Sequence, residues 1–212
     1  MSDELTRILE DAARGSFPPP DGGLTIIGQP NARDCGVVAF TAHSIVFLDE
    51  DPQWIRERWA AAPTDPFASS VHPVFLAELL ARTGRSMDAV DLLTVAEALP
   101  GEPSVELREI ADPDHPRVVY ARRRRDGVRA WAADGGVLTL GRGVAGRWEC
   151  SVEVDEEARG RGLGVALASA ARHLVPDAVV WAQQAPGNAR SVRAFQRAGF
   201  RPVGAEALLG VR

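Results

Sequence analysis

The apolar positions in the first part of the chain predict a mixture of helices and strands. Leu5, Ile8 and Leu9 recur at helical spacing near the start. Pro52 and Pro73 each stand where a helix can begin, because proline suits the first helical turn. Stretches rich in β-branched and aromatic residues predict strands. The expected helices cover 3–13, 52–61 and 73–82, and the expected strands cover 24–29, two runs within 36–49 about a tip at 41–44, and 91–95.

After a linker at 100–104, the pattern changes to strands and then to strands alternating with helices. Asp126-Gly127 and Asp134-Gly135 are favoured turn pairs and divide 117–143 into three strands. Asn188 can cap a helix that ends before Gly199. The other expected elements are strands at 105–110, 147–154, 178–184 and 201–211 and a helix at 163–174. This order predicts an α/β fold with a mixed sheet, in two domains at 1–100 and 101–212.

Composition narrows the chemistry. The chain has 212 residues and a net charge of −5, which disfavours a nucleic-acid or anionic-membrane partner. All 24 of its Lys/Arg positions hold arginine, which excludes Schiff-base and lysine-nucleophile chemistry. Cys35 and Cys150 stand far apart without a histidine cluster, so we expect reduced thiols, no metal site and a cytoplasmic protein. The sequence shows neither a signal peptide nor a run of about 20 apolar residues, so no membrane association is expected.

The stretch 155–164, DEEARGRGLG, lies between an expected strand and an expected helix. Amide groups at the start of a helix have no internal acceptor, and glycines let the backbone approach an anion closely. Arg159 and Arg161 add two positive charges. The loop therefore predicts a site for a diphosphate or a phosphate ester. A Walker loop is excluded because it needs lysine, and the spacing of the glycines does not fit the dinucleotide fingerprint.

The spacing Arg159-x-x-Gly162-x-Gly164 resembles the pyrophosphate loop of the GNAT superfamily of N-acetyltransferases. Two flanking segments support the resemblance. Residues 148–154, WECSVEV, stand where that family has its splayed central strand, and residues 188–200, NARSVRAFQRAGF, resemble its second conserved block. The resemblance covers the chain from about residue 105 onward. It implies a GNAT-like fold preceded by a smaller N-terminal α/β region packed against it. One open alternative is that this region is a degenerate copy of the same fold, although its sequence contains no phosphate loop.

The resemblance also implies a binding mode for acetyl-CoA. The central strand would pair its backbone with the pantetheine arm, and the loop amides would hold the diphosphate with help from Arg159. Asn188 would reach the pantetheine amide, and Ser191 would lie near the thiol. The implied cofactor-binding residues are Val152, Glu153, Val154, Arg159, Gly160, Arg161, Gly162, Leu163, Gly164, Val165, Asn188 and Ser191.

The catalytic groups depart from the family pattern. The family often has a tyrosine seven residues after the asparagine, where it protonates the leaving thiolate, but this chain has Phe195 there. Ser191, a water or another residue would then supply the proton, unless no acid is used. A base is needed because the attacking amine must be neutral. Glu149 and Glu153, which share one face of the central strand, are the candidates, and a base from the N-terminal half or a water chain stays open.

A second departure concerns the acceptor pocket. The family usually has two helices between its first two strands, whereas residues 110–118 read here as a short turn. The helices at 52–61 and 73–82 are the expected substitutes, with the acceptor in a cleft between the halves. The run Arg122–Arg125 is expected to be a solvated hairpin arm, and a contact with the 3′-phosphate of CoA is the alternative.

These observations predict an N-acetyltransferase that moves an acetyl group from acetyl-CoA directly to an amine, without a metal or a covalent intermediate. The alternative is a non-catalytic acyl-CoA-binding sensor of the same fold. The acceptor stays open among a small metabolite, an antibiotic amine, a protein N-terminus and a lysine side chain, and the acyl chain could be longer than acetyl. The C-terminal strand is a candidate interface for a homodimer.

Overall fold

The computed structural model describes residues 2–65, 67–175 and 178–211. The chain divides into two compact units. The first unit contains 1–93 together with 203–212, and the second contains 94–202. The domain division expected after residue 100 stays a prediction, and the two units are described separately below.

The first unit combines a mixed sheet with helices. Its elements are α1 (Ser2–Ala13), β1 (Gly23–Ile27), β2 (Gly36–Phe40), β3 (His43–Phe47), α2 (Pro52–Ala60) and α3 (Pro73–Thr83). The chain leaves this unit through β4 (Asp91–Glu97) and returns through β10 (Arg201–Leu208). The strands lie in the order β1-β3-β2-β10, with β1 parallel to β3 and the other pairs antiparallel. Each helix predicted from the sequence in this unit is confirmed, and so is the hairpin within 36–49.

The second unit carries the glycine loop. Its elements are β5 (Arg108–Glu109), α4 (Pro116–Arg122), β6 (Asp126–Ala133), β7 (Gly136–Arg142), β8 (Trp148–Val154), α5 (Leu163–His173), β9 (Val179–Gln184) and α6 (Ala189–Arg197). The strands lie in the order β9-β8-β7-β6-β5. β8 runs parallel to β9 and antiparallel to β7, so this sheet is mixed as predicted. The apolar residues of α5 and the facing side of β7 and β8 form the core, including Leu138, Leu140, Cys150, Leu167 and Ala171.

The strand predicted at the start of 117–143 is wrong, because this segment forms helix α4. Val118, Val119 and Tyr120 favour a strand by propensity alone. Pro116 lies in the first helical turn, and the His115 ring nitrogen accepts the Arg117 N–H at 3.3 Å, which caps the helix. Val118 and Ala121 are buried three residues apart on one face, and this packing outweighs the propensity.

Two further expectations fail in the same region. The turn expected over 110–118 contains the start of α4, so a helix does stand between the first two strands of this unit. The strand expected at 105–110 is reduced to Arg108–Glu109, which pairs with Ala132 and Trp131 of β6. The run Arg122–Arg125 is not wholly a solvated arm, because the Arg125 side chain is only 10% exposed.

Candidate functional site

β8 opens away from β9 part-way along its length. Its pairing with β7 continues over the whole strand, from Trp148 to Val154. Its pairing with β9, among the described residues, covers only Trp148 and Glu149. Residues 150–154 therefore turn one backbone edge towards a gap instead of towards a neighbouring strand. An extended ligand can pair with such an edge as an added strand would.

The open part of β8 leads into the glycine loop. Gly160 and Gly162 adopt φ of +78° and +88°, and a Cβ on either residue would meet nothing within 4 Å. Glycine is therefore favoured there by backbone conformation and not by crowding. Within the described part of the chain, the N–H groups from Gly160 to Gly164 find no acceptor. These unpaired amides lie at the start of α5, where the sequence predicts an anion site, and the binding of an anion there stays a prediction.

One cavity of about 910 Å³ joins the two features. Eleven of the twelve predicted cofactor-binding residues line it: Val152, Glu153, Val154, Arg159, Gly160, Gly162, Leu163, Gly164, Val165, Asn188 and Ser191. Arg161 is exposed and does not line it, and neither does Glu149. The strand edge, the loop amides and α6 thus come together around a single space.

Sequence reasoning missed part of this lining. The further residues are Ala158, Arg190, Arg193, Ala194, Phe195 and Arg197. The three arginines recur on α6 at intervals of three and four residues, which places them on one helix face. This spacing can be read from the sequence alone, and it is the signal that would have identified the three arginines.

Residues 98–200 match the model of the acetyltransferase (GNAT) family. This segment is a GNAT acetyltransferase domain. Solved structures that resemble the chain include a GCN5-related N-acetyltransferase from Kribbella flavida, with 21% identity over 64% of this chain and 63% of that chain and a TM-score of 0.43. Another is a GCN5-related N-acetyltransferase from Sphaerobacter thermophilus, with 16% identity over 65% and 56% and a TM-score of 0.38. A third is a tandem GNAT protein from the clavulanic acid biosynthesis pathway, with 18% identity over 63% and 57% and a TM-score of 0.41.

The chain spans less than two thirds of the length of each of these three structures. A comparison with curated proteins gives no match. The match over residues 98–200 therefore gives the family of this domain.

Glu149 of the GNAT domain is buried between two arginines. Arg147 Nε donates to its Oε1 at 2.8 Å, and Arg125 Nε donates to its Oε2 at 3.2 Å. Burial alone would raise the pKa of Glu149, but the charges of Arg147 and Arg125 and their hydrogen bonds outweigh it and lower the pKa. A carboxylate held in this way is a weak proton acceptor. Its catalytic role stays a prediction, and this geometry weighs against it.

Glu153, the second candidate base, lies on the same side of β8 in a more open place. Its side chain is 51% exposed and forms an ion pair with Arg117 Nε at 2.9 Å. Between the two glutamates, the hydroxyls of Ser151 and Thr139 hydrogen-bond at 2.6 Å. Together with Arg117 these side chains form a polar row that faces away from the apolar core. The sequence places the two glutamates on one face but does not reveal Thr139 and Arg117, because these come from β7 and α4.

The remaining candidates have simple surroundings. The Asn188 side-chain oxygen accepts the Ser191 N–H at 3.1 Å, so Asn188 caps α6 at the edge of the cavity. Phe195 is buried and packs edge-on against Phe200, with ring centroids 4.9 Å apart. Burial raises the pKa of Cys150 to about 12, which disfavours the thiolate. The described residues contain no cluster of acidic, histidine and cysteine side chains able to hold a metal, and no described helix is long and apolar enough to cross a membrane.

Proposed function

We propose that this protein is an N-acetyltransferase that passes an acetyl group from acetyl-CoA directly to an amine. The observation that carries the proposal is the continuity of the cavity, in which the open edge of β8 leads directly into the unpaired amides of Gly160 to Gly164. A pantetheine arm is a chain of amides that can pair with a strand edge. A diphosphate matches a row of N–H groups at a helix start. The residues therefore fit the two parts of the carrier in the order in which they are joined.

The transfer itself needs few groups. The neutral amine nitrogen attacks the thioester carbonyl carbon, a C–N bond forms, and the C–S bond breaks. In this proposal a backbone N–H of residues 152–154 stabilises the negative charge that develops on the carbonyl oxygen. Glu153, or a water beside it, takes the proton from the amine, since Glu149 is engaged by two arginines. A water or Ser191 supplies the proton to the thiolate, because Phe195 has none to give.

Two isosteric substitutions test the binding site. Asn and Asp both tolerate the left-handed backbone that Gly162 adopts, so Gly162→Asn and Gly162→Asp introduce similar strain. Only Asp adds a negative charge. At about 5 Å from a phosphate and an effective dielectric constant near 20, such a charge is repelled by roughly 3 kcal/mol, and exposure to solvent reduces this value.

We expect Gly162→Asp to bind CoA at least about tenfold more weakly than Gly162→Asn, as measured by titration calorimetry and by the thermal shift at saturating CoA. Circular dichroism checks that both variants fold. Equal CoA affinity of the two folded variants, or no CoA binding by the parent protein, would contradict the site.

A non-catalytic acyl-CoA sensor is the second candidate. Two observations favour it, namely the buried Phe195 at the position of the family tyrosine and the paired state of Glu149. Detection of free CoA thiol separates the two functions. Acetyl-CoA incubated with a panel of small amines, peptides with free N-termini and lysine peptides should release CoA above the rate without an acceptor. Tight binding with no release on any acceptor favours the sensor.

Three further expectations belong to this proposal. We place the protein in the cytoplasm, with two reduced thiols. The helices expected at 52–61 and 73–82 stay our candidates for contributing acceptor-binding residues. We also keep the C-terminal strand as the candidate dimer interface.

A further inference from the structure

The helix α6 carries three arginines that the acyl-transfer proposal does not use. Arg190, Arg193 and Arg197 are exposed, lie on one helix face and all line the cavity. None of the three forms an ion pair with a carboxylate in the part of the chain that the structure describes. Arg117 and Arg129, by contrast, each pair with a glutamate at 2.9 Å.

This arrangement has an energetic cost without a ligand. Like charges three and four residues apart on a helix repel one another and destabilise it. Arg159 brings a fourth guanidinium to the cavity, and the carboxylate that lines it, Glu153, is already paired with Arg117. A cavity with this excess of positive charge attracts a polyanion.

The arginines also stand beside the glycine loop. A Cβ built on Gly164 would lie 3.7 Å from the Cβ of Ala194, so α6 flanks the loop at ordinary van der Waals distance. Arg193 adjoins Ala194 in sequence, and Arg190 and Arg197 stand one turn to either side of that position. The three cations therefore neighbour the amides to which the diphosphate is assigned.

Coenzyme A carries one phosphate group in addition to the diphosphate that the loop amides are proposed to bind. Its diphosphate is joined to a ribose that bears a phosphate monoester at the 3′ position, close to the diphosphate on the same nucleotide. Arginine is well suited to such a group, because its planar fork donates two parallel hydrogen bonds to phosphate oxygens.

We propose that Arg190, Arg193 and Arg197 bind the 3′-phosphate of the carrier and make the protein selective for free CoA thioesters. Carriers that lack this phosphate, such as dephospho-CoA or a phosphopantetheine arm attached to a protein, lose the contact and bind more weakly. This inference rests on the proposed function, since it presumes that the loop holds the diphosphate.

Titration calorimetry with CoA and dephospho-CoA tests the inference. The parent protein should bind CoA at least about tenfold more tightly than dephospho-CoA, which is the effect of losing a charge-assisted contact. The triple change of Arg190, Arg193 and Arg197 to Gln should bring this ratio close to one while changing dephospho-CoA affinity by less than about threefold. The exposed Arg108, which is outside the cavity lining, is the matched control: Arg108→Gln should keep the parent's ratio.

The outcomes separate the two proposals. If the parent protein binds neither ligand, the proposed function fails and the inference with it. If it binds both equally, or if the triple variant keeps the selectivity, only the 3′-phosphate assignment is overturned. A triple variant that loses affinity for both ligands in equal proportion also overturns it, because the arginines then act as a general field. The triple variant removes repulsion within α6, so its melting temperature without ligand should be no lower than the parent's. The single change Arg193→Gln provides a smaller perturbation of the same site.

Discussion

The buried ion cluster around Glu149 allows a sharp test of the structure. In Glu149→Gln the side chain keeps its shape but loses its negative charge. Two guanidinium groups then stay in a poorly solvated place without a counter-charge, since the side chains of Arg147 and Arg125 are only 5% and 10% exposed. We expect a large loss of stability, although Glu149 lies on the strand that leads to the cavity and reads in sequence as a catalytic base.

The magnitude follows from the burial. Removing one partner of a buried ion pair costs about 3–5 kcal/mol, because the remaining charge is uncompensated. The glutamine oxygen can still accept one hydrogen bond, so the lower end, about 3 kcal/mol, is expected here. For a protein of this size, 1 kcal/mol shifts the melting temperature by about 2–4 °C, which predicts a fall of roughly 10 °C.

The pH dependence supplies a second signature. The pKa of Glu149 is lowered by the charges of Arg147 and Arg125 against the effect of burial, from an ordinary value of 4.5. A group with a lowered pKa in the folded state stabilises the protein above its unfolded-state pKa, and this contribution is lost as pH falls through the folded-state pKa. The parent protein should therefore lose stability below about pH 4.5 more steeply than Glu149→Gln does.

Differential scanning calorimetry between pH 3 and pH 7 measures both effects, with Glu106→Gln, a change at an exposed glutamate of the same unit, as the control. A melting temperature of Glu149→Gln within about 2 °C of the control would refute the reasoning. If such a stable variant also lost all acetyl transfer, Glu149 would be the base after all.

Two further predictions concern neighbouring features. Burial raises the pKa of Cys35 to about 11 and that of Cys150 to about 12. Iodoacetamide at pH 8 should therefore leave both thiols unlabelled in the folded protein and label both in guanidinium, as measured by mass spectrometry. Rapid labelling of Cys150 in the folded protein would contradict its place in the core. Gly143→Ala should lower the free energy of unfolding by about 1–3 kcal/mol in urea, because a Cβ there collides with the buried Glu149 carboxylate. Gly187→Ala, where a Cβ meets open space, is its control, and equal urea midpoints for the two variants would disprove the collision.

Local signals were sufficient for the loop and its two flanking helices. Gly160 and Gly162 are favoured because the backbone there has positive φ, and Asn188 caps α6 because its side-chain oxygen accepts the Ser191 N–H. Both are interactions within a few residues of the chain, so spacing alone reveals them. Helix α4 was mistaken for a strand because valine and tyrosine prefer strands locally, whereas the burial of Val118 and Ala121 depends on the sheet beneath them.

The sequence by itself determined the family of residues 98–200, the glycine loop with its positive φ angles and most of the residues that line the cavity. It did so because short-range backbone requirements leave a readable pattern of glycine, proline and asparagine. Only the tertiary structure decided where β8 separates from β9 and how Glu149 is held. The pairing partners lie on distant strands, and Arg125 reaches Glu149 across 24 residues of chain. Charge and burial at such a site depend on which segments meet in space, and no spacing along the chain records that.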